Sequence, residues 1–155
     1  MTKTALAVAV AAVPLTVVYA VAAATGARGS LAAWSISYAV LLAGAVVFAL
    51  YGLCFGLQFR SEAALSAAGG SIVILGFLGN IFFPLSGTLL AIAKFTPLYG
   101  YVALARYPVT VGHLLDGATG ALVAEPLWIP LANVLAWTLI LALVATYLVR
   151  RGRRR

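Results

Sequence analysis

The chain reads as long uncharged runs separated by short polar breaks. The first run, Thr4 to Thr25, is flanked by Lys3 and Arg28. At a helical rise of 1.5 Å per residue it reaches roughly 33 Å, enough to cross a bilayer. Pro14 is expected to kink it. The second run, Leu31 to Phe59, contains no charge, and Trp34 and Tyr38 stand near its start, where interfacial aromatics belong. Arg60, Ser61 and Glu62 form a tight polar turn. The third run, Ala63 to Phe83, opens on small residues and carries Asn80 near its far end. A fourth long run, Leu127 to Val149, ends in an arginine-rich tail.

Between the third and fourth runs the pattern breaks. Leu85 to Ala93 is apolar but too short to span and ends in Lys94. Thr96-Pro97 turns the chain, and Leu98 to Ala105 leads to Arg106 and Tyr107-Pro108. Such broken segments survive at membrane depth only where protein or a water-lined cavity satisfies the freed backbone groups. The pattern therefore predicts a re-entrant helical hairpin over about 85–105, with Ser86 as the cap of its first arm. The stretch from Val109 to Pro126, with His113, Asp116 and Glu125, reads as a mixed loop.

Composition agrees with this reading. The 155 residues are 65% hydrophobic and 8% charged, more apolar surface than a soluble domain can hide. The expected fold is all-α: one polytopic helical membrane domain over 1–155, with about four transmembrane helices (about 4–25, 31–59, 63–83 and 127–149) and the hairpin on the outer side. A cleaved signal peptide is the competing reading of the first run, with small residues Ala22 to Ala24 as a possible cleavage site. The length of the run favours a span, and both readings place the following loop outside.

The net charge of +7, taken alone, would fit a nucleic-acid partner. Half of the ten basic residues, however, lie in the tail at 150–155, where the positive-inside rule explains them, and no nucleic-acid partner is expected. With that tail in the cytoplasm, four spans place both termini inside. Only Arg28, Lys94 and Arg106 of the ten then fall outside. The localisation this implies is the cell membrane, multi-pass, in contact with lipid. Lys94 and Arg106 are expected to snorkel at the outer interface.

Little catalytic chemistry is visible. His113 and Asp116 have no serine or cysteine nucleophile motif beside them. The glycines of GFLGN do not match a phosphate-binding loop. The lone Cys54 can form no disulfide within the chain. No cofactor or metal is expected, and the chain reads as a non-enzyme. Gly52 and Gly56 form a GxxxG spacing suited to close helix packing, with chance spacing in a glycine-rich chain as the alternative. Asn80 needs a hydrogen-bond partner, expected to be a neighbouring helix.

The stretch GNIFFPLSG…L…IAKFTPLYGYVALAR resembles the C-terminal half of ABC transporter permeases of the type-2 exporter family. The residues that carry the likeness are Gly79, Phe82, Phe83, Pro84, Leu85, Ser86, Pro97, Leu98 and Arg106. In that family this region ends the fifth span and leads through two re-entrant outer helices into the sixth. The resemblance implies a permease subunit that moves a drug-like, lipid or glycan substrate outward. It pairs with a second permease copy or homologue and is driven by a separate ATP-binding cassette ATPase subunit. It makes Asn80, Phe82, Phe83 and Pro84 candidates for an exit gate, with interhelical packing as the alternative for the two phenylalanines. It makes Arg60 and Glu62 candidates for ATPase contact. Family permeases carry six spans, and the first two, with their coupling helix, have no counterpart here. A truncated product, a second polypeptide supplying the rest and a self-sufficient four-span form are all compatible with the sequence. A non-transporting scaffold or accessory subunit is the alternative function.

Overall fold

The computed structural model describes residues 2–59 and 61–152. The fold is all-α, 76% helical, with six helices and one small β-hairpin among the described residues. Helix α1 (Thr2–Ala24) runs through Pro14 and ends in a left-handed glycine, Gly26 at φ 82°. Ala27 N–H bonds the Ala22 carbonyl and Gly26 N–H the Ala23 carbonyl, the paired pattern of a Schellman stop. Four residues later Ser30 caps α2 (Leu31–Gln58), its hydroxyl accepting from Ala33 N–H at 3.1 Å. The short connection folds α1 back on α2. Tyr19 donates to Ser37 Oγ at 2.7 Å, and its ring meets Trp34 and Tyr38 edge-on.

Helix α2 is the central post, touching α1, α3 (Ser61–Leu78), α5 (Pro97–Thr110) and α6 (Trp128–Gly152). One core cluster forms where α2, α5 and α6 meet, around Val47, Tyr101 and Leu141. Gly44 on α2 lets the Tyr101 ring approach: a Cβ there would lie 3.1 Å from the ring edge. Tyr51 donates to Ser71 Oγ at 2.7 Å and ties α2 to α3. A second cluster, Leu85, Ala93, Tyr99 and Ala103, packs α5 beneath the short α4 (Gly87–Ala93).

By length and apolarity α2 and α6 can cross a membrane. The pair α4 and α5, bent by 97° across a three-residue break, would be a third if counted as one span. The apolar parts of α1 and α3, Val8–Ala24 and Glu62–Leu78, are shorter.

Four expectations are corrected in detail. The stretch after α5 is not an irregular loop. It contains β1 (His113–Leu115) paired antiparallel with β2 (Leu122–Ala124), in register His113 to Ala124. Helix α5 continues past Pro108 to Thr110, although the proline supplies no N–H for the Leu104 carbonyl one turn back. Ser86 occupies the N-cap position of α4, but its hydroxyl makes no capping bond. Gly52 and Gly56 face open space, with no atom within 4 Å of a Cβ built on either, so close packing inside the chain falls to Gly44 instead.

Candidate functional site

The candidate residues gather where the end of α3, the α4–α5 pair and the β-hairpin converge. Asn80 is the pivot. It adopts the left-handed conformation, φ 58°, which asparagine tolerates better than most side chains. Its Oδ1 accepts from Leu85 N–H at 2.8 Å and closes the loop 80–85 on itself. Its carbonyl accepts from Arg106 Nη1 at 2.7 Å, reaching across from α5. The Asn80 side chain thus bonds its own loop and not the neighbouring helix expected for it, and the helix-to-helix link runs through its main chain.

This closure pushes the loop's middle outward. Phe82 and Phe83 are 62% and 46% exposed, and both rings lean on Phe77, with centroids at 4.8 and 5.8 Å. The Phe82 ring also covers Gly76. Pro84 is fixed from the other side. The backbone of Gly117, in the β-hairpin turn, sits so close to the Pro84 carbonyl that any Cβ at 117 would collide with it. The turn itself is tied by Asp116, whose Oδ1 accepts from Thr119 N–H, Thr119 Oγ1 and Ala118 N–H at 2.9, 2.9 and 3.0 Å. These donors, the Thr119 N–H first, hold the Asp116 carboxyl below its ordinary range.

A second polar cluster fixes the base of the hairpin. Residues 94–96 break the helix between α4 and α5, and their carbonyls need donors. Asn133 Nδ2 donates to the Lys94 carbonyl at 2.7 Å and to the Thr96 carbonyl at 3.0 Å. Trp137 Nε1 donates to the Phe95 carbonyl at 2.9 Å. All three carbonyls of the break are satisfied from one helix. Asn133 and Trp137 lie roughly 7 and 13 Å along α6 from its start at Trp128, so the break packs beside the second and third turns of that helix. Gly100 allows the approach: a Cβ there would strike Asn133 Oδ1 and lie 3.0 Å from the Pro130 carbonyl.

Above the break sits a buried carboxylate. Glu125, 5% exposed, accepts from Tyr99 Oη at 2.7 Å and pairs with Lys94 Nζ at 3.2 Å, both at Oε1. Lys94 is therefore the partner of a buried acid. Asn133, Trp137 and Glu125 were not among the candidates read from sequence. Asn133 had a signal, a lone amide within an apolar run; Glu125 had none, because nothing local marks a loop acid as buried.

Asn80, Ile81, Phe82, Phe83, Pro84, Arg106, Thr110 and His113 line a cleft of about 280 Å³. All four gate candidates thus share one cavity. Of the two expected ATPase-contact residues, Glu62 is exposed in the first turn of α3, and Arg60 lies outside the described residues. Among the described residues no group of three or more His, Cys, Asp or Glu side chains converges to hold a metal ion. No family model, curated protein or solved structure matches the chain.

Proposed function

We propose that this chain is the permease component of an ATP-driven exporter resembling the type-2 ABC permeases. In this reading α1, α2, α3 and α6 span the membrane, and α4–α5 is a hairpin that enters and leaves by the outer face. The apolar parts of α1 and α3 meet the lower limit of about 17 residues for a span. The observation that carries the reading is the break at 94–96, bent by 97°, with every carbonyl capped by Asn133 or Trp137. Backbone that leaves the helix at membrane depth must be satisfied by protein. A helix pair built to rest there, without crossing, suits a cap over an outward path.

The cleft above it supplies the moving part. Phe82 and Phe83 stand exposed on a loop whose two ends are fixed, by Asn80 and by Pro84 against Gly117. Such aromatic side chains can turn without disturbing the hairpin. Export by the assembled complex is expected to rise in leak or fall in rate when both are changed to alanine. Unchanged transport in an active complex would remove the gate role.

The reading is tested by purifying the tagged chain in mild detergent and assaying ATP hydrolysis in the co-purifying fraction. A stoichiometric ATP-binding subunit is expected. A clean chain without one would favour the scaffold alternative, in which the exposed apolar helix faces serve assembly alone.

A further inference from the structure

Arg106 lines the cleft from α5, and among the described residues no carboxylate balances its charge. The chain has three carboxylate side chains. Glu125 is paired with Lys94, Asp116 is occupied within its own turn, and Glu62 lies at the far end of α3, about 25 Å of helix away from Asn80. Among the described residues none pairs with Arg106. Its one hydrogen bond goes to a neutral carbonyl, that of Asn80. This bond anchors Nη1, while the side chain keeps an exposed flank in the cleft. A planar guanidinium held this way still offers parallel N–H groups, a geometry matched by phosphate oxygens.

The rest of the wall is mixed but mainly apolar. Thr110 and His113 line it with Arg106, His113 Nδ1 lying 3.2 Å from the Thr110 carbonyl, and Leu114 and Leu115 follow. Ile81, Phe82 and Phe83 also line it and are exposed to whatever enters. One cavity thus joins an unpaired cation to an apolar ramp.

We propose that this cleft is a binding subsite for a phosphate-bearing amphiphile, its phosphate on Arg106 and its hydrocarbon along Phe82 and Phe83. For its role in transport this rests on the exporter reading, whose substrate class it names. The binding itself rests on the cleft alone.

The test uses the whole chain in an uncharged detergent, with dihexanoyl phosphatidate as probe and titration calorimetry as readout. Dihexanoylglycerol and inorganic phosphate serve as the two halves of the ligand. Phosphatidate is expected to bind at least about tenfold more tightly than either half, since a charge-assisted contact and apolar burial must act together. R106Q is expected to lose about tenfold or more, with folding followed by thermal melting in the same detergent. R106K retains a donor for the Asn80 carbonyl but loses the fork, and is expected to bind about threefold or more weakly; it serves if R106Q does not fold. Equal binding of inorganic phosphate would make this a soluble-anion site, and equal binding of dihexanoylglycerol an apolar groove. Either result, or unchanged affinity in a folded variant, overturns the proposal. Because no ATPase is needed, failure to bind leaves the exporter reading standing, and failure to recover an ATPase leaves the binding result standing.

Discussion

Lys94 and Glu125 show how unequal the two ends of one ion pair can be. The Glu125 side chain is 4% exposed and that of Lys94 31%. Removing the cation leaves a buried carboxylate with only Tyr99 to compensate it. Removing the carboxylate's charge leaves an ammonium that can turn toward water. K94M is therefore expected to destabilise the fold more than E125Q. The limit for a fully buried pair is about 3–5 kcal/mol, and the partial exposure of Lys94 reduces it. Thermal melting of the two variants in one detergent gives the order; a larger loss in E125Q would contradict the pairing. From sequence both residues read as outer and solvated, because spacing cannot show that β2 delivers Glu125 to the side of α5. Asn80 was legible as a polar group in need of a partner. Which partner depended on a left-handed turn that only the folded chain defines.

At the scale of elements, the break between α4 and α5 was legible and the β-hairpin was not. Two prolines, a lysine and two half-length apolar runs announce a broken segment, because each opposes a straight span. The strands β1 and β2 are three residues each, too short for an alternation of apolar and polar positions to stand out. What holds the broken segment came from two residues of α6, Asn133 and Trp137, inside an otherwise apolar run. N133L is expected to strip donors from the Lys94 and Thr96 carbonyls, at roughly 1–3 kcal/mol for each group left buried and unpaired. Faster hydrogen exchange confined to residues 90–100 is the expected signature; exchange unchanged there would show that Asn133 is dispensable. G100A tests the same seam from the other helix. Alanine favours helix, but its Cβ meets a backbone carbonyl and an amide held by two bonds, so overpacking outweighs propensity and a loss of about 1–3 kcal/mol is expected. A melting temperature equal to or above that of the parent chain would mean that α5 and α6 are free to separate.

For the whole molecule, the apolar composition already implied helices with lipid-facing sides, and the structure leaves Val10, Val13 and Val17 on α1 and Leu135, Leu139 and Leu143 on α6 exposed. Charge placement implied the orientation, with Arg150 and Arg151 closing the last helix. Neither property fixes how many times the chain crosses, because α4–α5 together have the length of a span and only their bend argues otherwise. The central claim is that this pair turns back. It is tested most directly by placing single cysteines at Thr88, before the bend, and Thr119, in the β-hairpin, in a background where Cys54 is serine. Both positions are exposed. A membrane-impermeant thiol reagent added to intact cells is expected to label both. Labelling of one, with the other reached only after the membrane is opened, would mean that α4–α5 crosses, and the outer cap would have no place in this fold.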